Sequence, residues 1–268
     1  MKITTTVTYD GNPHRLFKFW AMPEKGTDKE DYLRVLLVRH ELYFQAAHRL
    51  NDPYDCLPAI FSDFTPDRAR ALFERQIQRD IPNLLDADRV AEVERRIAGF
   101  DFKHVGTPAF QLGARDAFKE QRERMAVYCL TARADSVLMW SHYAGNHTGF
   151  VVVFDGSDSL TREAQRVRYE RDRPLVDPGA REERAMRDVL LVKARDWRYE
   201  QEWRITRIGR PGSHAFNAGA LVGIIFGMAM PKDDRDRLRV LCREGGLNPR
   251  YYEAVDDARS FNVRIVEV

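Results

Sequence analysis

The stretch Gly149-Phe150-Val151-Val152-Val153-Phe154-Asp155-Gly156 decides how the chain is read. Five consecutive aromatic or β-branched residues closed by Asp-Gly read as a strand buried on both faces. Before it, Asp135 to Ala144 reads as a helix capped by Asp135 or Ser136, and Met125 to Leu130 as another buried strand. Nearer the N-terminus, strands are expected at Leu16 to Trp20 and Glu41 to Phe44. Asp28 to Val38 lies between them as a helix, with Tyr32, Leu33, Leu36 and Leu37 at helical spacing. Leu50 to Asp55 is a turn, because Asn and Asp tolerate turn geometry and Pro53 blocks a helix interior.

Downstream, Arg166 to Tyr169 reads as a strand, Pro174 to Gly179 as a loop and Arg181 to Val192 as a helix. Trp197 to Ile208 reads as one alternating strand, with Trp197, Tyr199, Trp203 and Ile205 on one face and Glu200, Glu202, Arg204 and Thr206 on the other. A buried strand at Ala220 to Phe226, a helix at Asp233 to Arg243 and a final strand at Phe261 to Val268 complete the pattern. Short strands and helices without regular βαβ alternation predict an α+β fold with a mixed or antiparallel sheet. No repeat, low-complexity tract or linker divides the chain. Residues 1–268 are therefore expected to form one domain, with a helical insertion at about 66–118 that includes amphipathic stretches at Arg68 to Arg79 and Asp86 to Ile97.

Composition narrows the function. With 44% hydrophobic and 31% charged residues, the 268-residue chain has enough apolar content for a core, which excludes intrinsic disorder. A net charge of +2 excludes a strongly basic nucleic-acid coat. The cations are mostly Arg, but on the helices (Arg68, Arg70, Arg75, Arg79; Arg89, Arg95, Arg96) they interleave with acids and read as solvated faces. Three widely separated cysteines without a CxxC pair argue against a disulfide framework or a cysteine zinc site. Met1 to Thr6 lacks the apolar core of a signal peptide, and the most apolar run, Leu221 to Met230, is about half the ~20 residues that span a bilayer. The expectation is a soluble, cytoplasmic bacterial protein without a membrane partner.

Four segments could carry chemistry. Met139-Trp140-Ser141-His142-Tyr143-Ala144-Gly145-Asn146-His147-Thr148-Gly149 packs polar and aromatic side chains just before the strongest strand. His142 and His147 could serve as acid or base, and Trp140 and Tyr143 could stack on a base or nicotinamide. The alternative makes Met139, Trp140 and Tyr143 core and His142 a helix cap. The two His are five apart, which is not metal-ligand spacing, and Ser141 lacks a Gly-x-Ser-x-Gly elbow. Trp197 to Arg204 puts Glu200 and Glu202 on one strand face with Arg204 next, a set that could bind ribose, stabilise a cationic centre or act as a base. Its alternative is a solvated face of alternating charge. In the third, Asn51 and Asp52 could bind a ligand from the turn at Asn51 to Asp55, or their side chains could simply fix that turn. In the fourth, Lys18 could hold a phosphate from the first strand.

Several blocks resemble a widespread bacterial family of unknown function. These are Leu16 to Phe19, Leu42 to Phe44, Asn51 to Asp55, Leu138 to Gly149, Lys193 to Arg204 and Ile224 to Gly227. Cys129-Leu130-Thr131 departs from the expected aromatic and Ser after the Cys. A more distant resemblance is to the ADP-ribosyltransferase fold, carried by Glu200-Gln201-Glu202. It implies that Glu202 binds the nicotinamide ribose and stabilises its oxocarbenium-like transition state, while Glu200 orients the acceptor. Lys18 replaces the usual Arg or His, and a Ser-Thr-Ser strand is absent unless Thr131 stands in.

The leading expectation is an enzyme that transfers or hydrolyses ADP-ribose from NAD, without a metal. Glu202, Glu200 and His142 would form the reactive set. Lys18, Tyr43, Asn51, Asp52, Trp140, Ser141, Tyr143, His147 and Arg204 would bind the nucleotide, with a protein or nucleic acid as acceptor. A role in a toxin or phage-defence system accompanies this expectation. A second reading is a metal-independent nucleic-acid-cleaving enzyme in which His142, His147, Glu202 and Arg204 converge on a phosphodiester. A third is a non-catalytic module that binds a nucleotide or a protein partner.

Overall fold

The computed structural model describes residues 13–59, 65–104, 107–174 and 182–268. Met1 to Thr6, Arg181 and most of the loop expected at Pro174 to Gly179 lie outside the described residues. The chain begins with β1 (Arg15–Trp20), α1 (Asp28–Leu37) and β2 (Glu41–Ala46). Three helices follow: α2 (Pro66–Asp80), α3 (Asp86–Ala98) and α4 (Pro108–Arg124). Next come β3 (Met125–Thr131), α5 (Val137–Tyr143), β4 (Phe150–Asp155), β5 (Gln165–Arg166) and β6 (Arg168–Glu170). After α6 (Glu182–Leu190) and β7 (Val192–Ala194) come β8 (Glu202–Ile208), β9 (Gly212–Ala215) and β10 (Leu221–Phe226). The chain closes with α7 (Lys232–Glu244), β11 (Arg250–Asp257) and β12 (Ser260–Glu267).

The fold is α+β, built on a ten-stranded and mostly antiparallel sheet. Its main path runs β12-β11-β10-β4-β1-β3-β2-β9, with β8 on β3 and β5 on β8. Among the described residues, only β10 and β11 pair in parallel within it, and β6 with β7 forms a separate parallel ribbon. The Phe-Val-Val-Val-Phe strand sits between β1 and β10, buried on both faces. Phe150, Val152 and Phe154 join a core covered by Leu33, Leu36 and Leu37 of α1 and Leu238 and Leu241 of α7. Val151 and Val153 face the other way, onto Phe17, Phe19 and Trp140. Each such fully buried side chain contributes roughly 1.5–3 kcal/mol. Gly149 allows β4 to enter against β1, since a Cβ there would lie 2.0 Å from the Trp20 carbonyl oxygen.

Ser136 caps α5 by accepting from the Met139 N–H, one of the two caps expected. The helical stretch extends beyond residue 118, because α4 continues to Arg124 and feeds directly into β3. Three expectations are corrected. Arg166 to Tyr169 is not one strand: β5 pairs with β8 and β6 with β7, and the Val167 N–H between them donates to the Glu202 carbonyl. The helix expected to reach Val192 ends at Leu190, because Val192 begins β7. Trp197 to Ile208 is also divided. Arg195–Glu200 is a 3₁₀ turn, Gln201 takes a left-handed conformation (φ 43°), and only Glu202 onward is strand. β9 and β11 escape a hydrophobic reading because polar and charged residues dominate them. Among the described residues, no helix is long and apolar enough to cross a membrane.

Candidate functional site

The register of β3 creates a cleft. β1 and β3 share a single pair, Phe17 with Thr131, while β2 pairs with β3 only at Ala126 and Val127. Between those points, Tyr128 to Leu130 lack a strand partner on that side. A cleft of about 550 Å³ opens there, within the range of about 300–1,000 Å³ usual for ligand sites. Its walls are aromatic: Phe19 and Trp20 of β1, Tyr43 of β2 edge-on to Tyr32 of α1, and Tyr143 of α5. Lys18 and Arg49 add positive charge, and Glu200 and Glu202 lie at the acidic end with Lys193.

The acidic end is a closed network of buried charge. Arg204 of β8 is fully buried and forks onto two carboxylates. It meets Asp55 with Nη1–Oδ1 2.9 Å and Nη2–Oδ2 2.6 Å, and Glu202 with Nε–Oε1 2.8 Å and Nη2–Oε2 2.9 Å. Its Nη1 also donates to the Leu190 carbonyl at 2.8 Å. Lys193 of β7 donates to Glu200 Oε2 and, at 3.1 Å, to Glu202 Oε2; Asp55 Oδ2 is 3.7 Å away. The Tyr143 hydroxyl donates to Glu200 Oε1 at 2.6 Å and accepts from Asn51 Nδ2 at 3.0 Å. Thr131 donates its hydroxyl to the Glu200 carbonyl, and Tyr169 accepts from the Glu202 N–H at 2.7 Å. The left-handed Gln201 turns Glu200 out of the strand while Lys193 still holds both carboxylates.

The two glutamates are pushed apart in acidity. Burial would raise Glu202, but the charges of Arg204 and Lys193 outweigh it and hold Glu202 well below the usual carboxylate range. Burial raises Glu200, the neighbouring Glu202 charge adds to that, and Lys193 only partly opposes them. Lys193 stays charged: burial would lower it, but Glu202, Glu200 and Asp55 raise it. Cys129, which hydrogen-bonds Glu202, is pushed up to about 12 by burial and that carboxylate. A pair of carboxyls with opposed shifts is the pattern from which acid and base roles are built.

Of the residues expected at the site, Glu200, Glu202, Lys18, Tyr43, Asn51 and Tyr143 line this cleft. The others do not. Trp140 is wholly buried, with its indole N–H donated to the Ala134 carbonyl at 2.7 Å, so it is core rather than a stacking wall. His142 is exposed on the outer side of α5 and shares a 3.0 Å hydrogen bond with the Tyr199 hydroxyl. His147 stacks on Trp140 from a left-handed turn and lies 3.4 Å from the Ser141 hydroxyl. Burial lowers its pKa. Asp52 is buried behind the cleft, accepting from the Tyr54 N–H and the Trp197 indole. Arg204 lies beneath the floor rather than in the cleft.

Lys193 and Asp55 were not expected in the site, although both organise it. Lys193 carried a legible signal, as a lone Lys closing the apolar run Val189-Leu190-Leu191-Val192. Asp55 closes the turn that the sequence singles out, but its role is not legible there, because its partner Arg204 is 149 residues away.

No curated protein and no solved structure matches the chain. Residues 139–205, which hold most of α5, Lys193 and both glutamates, match the model of a family described as a protein of unknown function (DUF2971), in keeping with the resemblance of the sequence to an uncharacterised family.

Proposed function

We propose that the chain is an NAD-using enzyme that transfers or hydrolyses ADP-ribose in the β1–β3 cleft. The supporting observation is the polarity of the cleft, with Lys18 and Arg49 suited to phosphate, aromatic walls suited to flat rings, and two buried carboxyls of opposed acidity. Such a site suits loss of nicotinamide from a nucleotide. The ribose C1′–N bond breaks, its electron pair leaves with nicotinamide, and the sugar passes through a cationic centre before a nucleophile bonds to C1′. A carboxylate beside that centre stabilises it, and a base removes the nucleophile's proton.

The geometry changes the roles implied by the resemblance. Both oxygens of Glu202 are held by the fully buried Arg204, with Lys193 on one of them, so Glu202 positions Lys193 and the floor. Glu200 lines the cleft beside Tyr143 and Asn51, which supports a role for it as the carboxyl that stabilises the cationic carbon and takes the nucleophile's proton. The test is NAD turnover by the chain and by Glu200→Gln, which keeps the shape of the side chain. Turnover by the wild type that falls at least a hundredfold in the variant supports the reading. Undiminished turnover in Glu200→Gln overturns it, and binding of NAD without turnover identifies a binding module. The nucleic-acid-cleaving alternative is weaker, because His142, His147 and the fully buried Arg204 do not line the cleft with Glu202.

A further inference from the structure

One stretch of the cleft wall is held from outside the site. Residues Ala47–Arg49 form a 3₁₀ turn that runs on through Leu50 to Asp55, and from this segment Arg49, Leu50, Asn51 and Asp55 line the cleft. Its ends are buried: Ala47, Cys56 and Leu57 share an apolar cluster with Phe118 of α4 and Leu190 of α6. Three side chains tie its middle to other parts of the site, Asn51 to Tyr143, Asp52 to the Trp197 indole and Asp55 to Arg204. Its backbone is tied from α4. Arg122, in the last turn of that helix, is buried, and its Nη2 donates to the Ala47 carbonyl at 3.3 Å and to the Asp55 carbonyl at 2.7 Å. One guanidinium thus closes the segment by both ends. Among the described residues Arg122 makes no ion pair, and its Nε has no hydrogen-bond partner. A buried cation of this kind is a poor way to fill space, which an apolar side chain does without desolvating a charge.

The side chain that depends on this clamp is Arg49. It is exposed at the cleft and makes no ion pair or side-chain hydrogen bond among the described residues, so the backbone of the 3₁₀ turn alone directs it. Glu200, by contrast, is held directly by Lys193 and Tyr143. We infer that Arg122 is a positioning residue for ligand binding: by fixing the backbone at Ala47 and Asp55, it keeps Arg49 aimed at an anionic group of the ligand. This role rests on the nucleotide reading, in which Arg49 meets phosphate. Arg122 itself does not line the cleft. Its loss leaves Glu200 and its partners in place but gives Arg49 more directions to sample, so binding weakens more than chemistry slows.

The test is a double-mutant cycle of Arg122→Met and Arg49→Ala in the full chain. It is read as kcat and KM for NAD and as affinity for inorganic pyrophosphate, which needs no NAD chemistry. Each single variant should raise KM and weaken pyrophosphate binding by about tenfold, with kcat within about threefold of wild type. The double variant should be little worse than either single one, because both act through the Arg49 guanidinium. A purely structural Arg122 would lower the melting temperature without this coupling. Arg122→Lys, which keeps a cation but not the fork, should fall between wild type and Arg122→Met, and it carries the cycle if Arg122→Met does not fold. Without ligand, backbone hydrogen exchange over residues 47–56 should quicken by about tenfold in the Arg122 variants and not in Arg49→Ala. Effects that multiply in the double variant, or exchange unchanged by substitution of Arg122, overturn the inference even if NAD is turned over. Coupling on pyrophosphate without binding or turnover of NAD preserves it and removes the NAD reading. Binding of neither pyrophosphate nor NAD overturns both.

Discussion

The segments Met139–Gly149 and Lys193–Arg204 are both dense in polar and aromatic residues, yet they come to opposite uses. In the first, Trp140 is locked into the core, His147 is stacked on it from a left-handed turn, and His142 looks outward; Tyr143 and Met139 reach the cleft. In the second, Lys193, Glu200 and Glu202 reach the cleft floor and Arg204 anchors them from below. The difference lies in what each polar group pairs with. A group satisfied within its own turn or by a nearby carbonyl has finished its work locally. Glu200 and Glu202 instead share Lys193 and are tied through it, Tyr143 and Arg204 into one buried network with Asp55, in which the two carboxyls are shifted in opposite directions.

This contrast can be broken by substitution, beginning with the largest effect. Arg204→Met should strand Asp55 and Glu202 and cost about 3–5 kcal/mol, seen as a lower urea midpoint. A loss below about 1 kcal/mol would mean that the network does not organise the floor. Trp140→Phe should lose packing and the bond to Ala134, destabilising the fold by about 2–3 kcal/mol while leaving nucleotide affinity within about twofold. A selective loss of affinity would return Trp140 to the site. Tyr143→Phe removes the hydroxyl from Glu200 and should slow turnover by roughly tenfold or more with a small change in melting temperature. His142→Ala should change stability by less than about 0.5 kcal/mol and turnover by less than twofold, as expected of an exposed side chain.

The same network sets a pH dependence. Glu202, depressed in the folded state, contributes stability that is present above its unfolded value of about 4.3 and is lost only as pH falls through its folded value. Glu200 is raised, so its protonated form contributes stability that is full below that unfolded value and is lost as pH rises through its folded value. Denaturant midpoints of the wild type should therefore fall, relative to Glu200→Gln, as pH rises through the Glu200 transition. Parallel curves would show that Glu200 is unshifted.

The fold was legible where a buried strand or helix announces itself by local pattern. Phe150–Phe154 and Leu221–Phe226 are nearly continuous apolar runs, and α1 and α7 repeat apolar residues at helical spacing. β11 was not legible, since Arg250, Glu253, Asp256 and Asp257 interrupt its pattern although Tyr252 and Ala254 are buried. In the site, Glu200 and Glu202 were picked out as a pair, but as neighbours on one strand. Gln201 supplies the turn that separates them, and nothing in a Glu-Gln-Glu spacing signals a left-handed residue.

Local pattern alone carries the α+β class, most of the strands and the two segments where polar and aromatic residues crowd together. Hydrophobic periodicity and turn chemistry act over a few residues, so a linear reading can recover them. Which of those polar groups meet is set by packing across the whole chain. Asp55 and Arg204 are 149 residues apart, and Asn51 and Tyr143 are 92 apart. Charge balance in a buried site is a sum over every group that folding brings within a few ångströms. That is why a net charge of +2 over the whole chain gave no hint of a floor with three carboxyls and two cations.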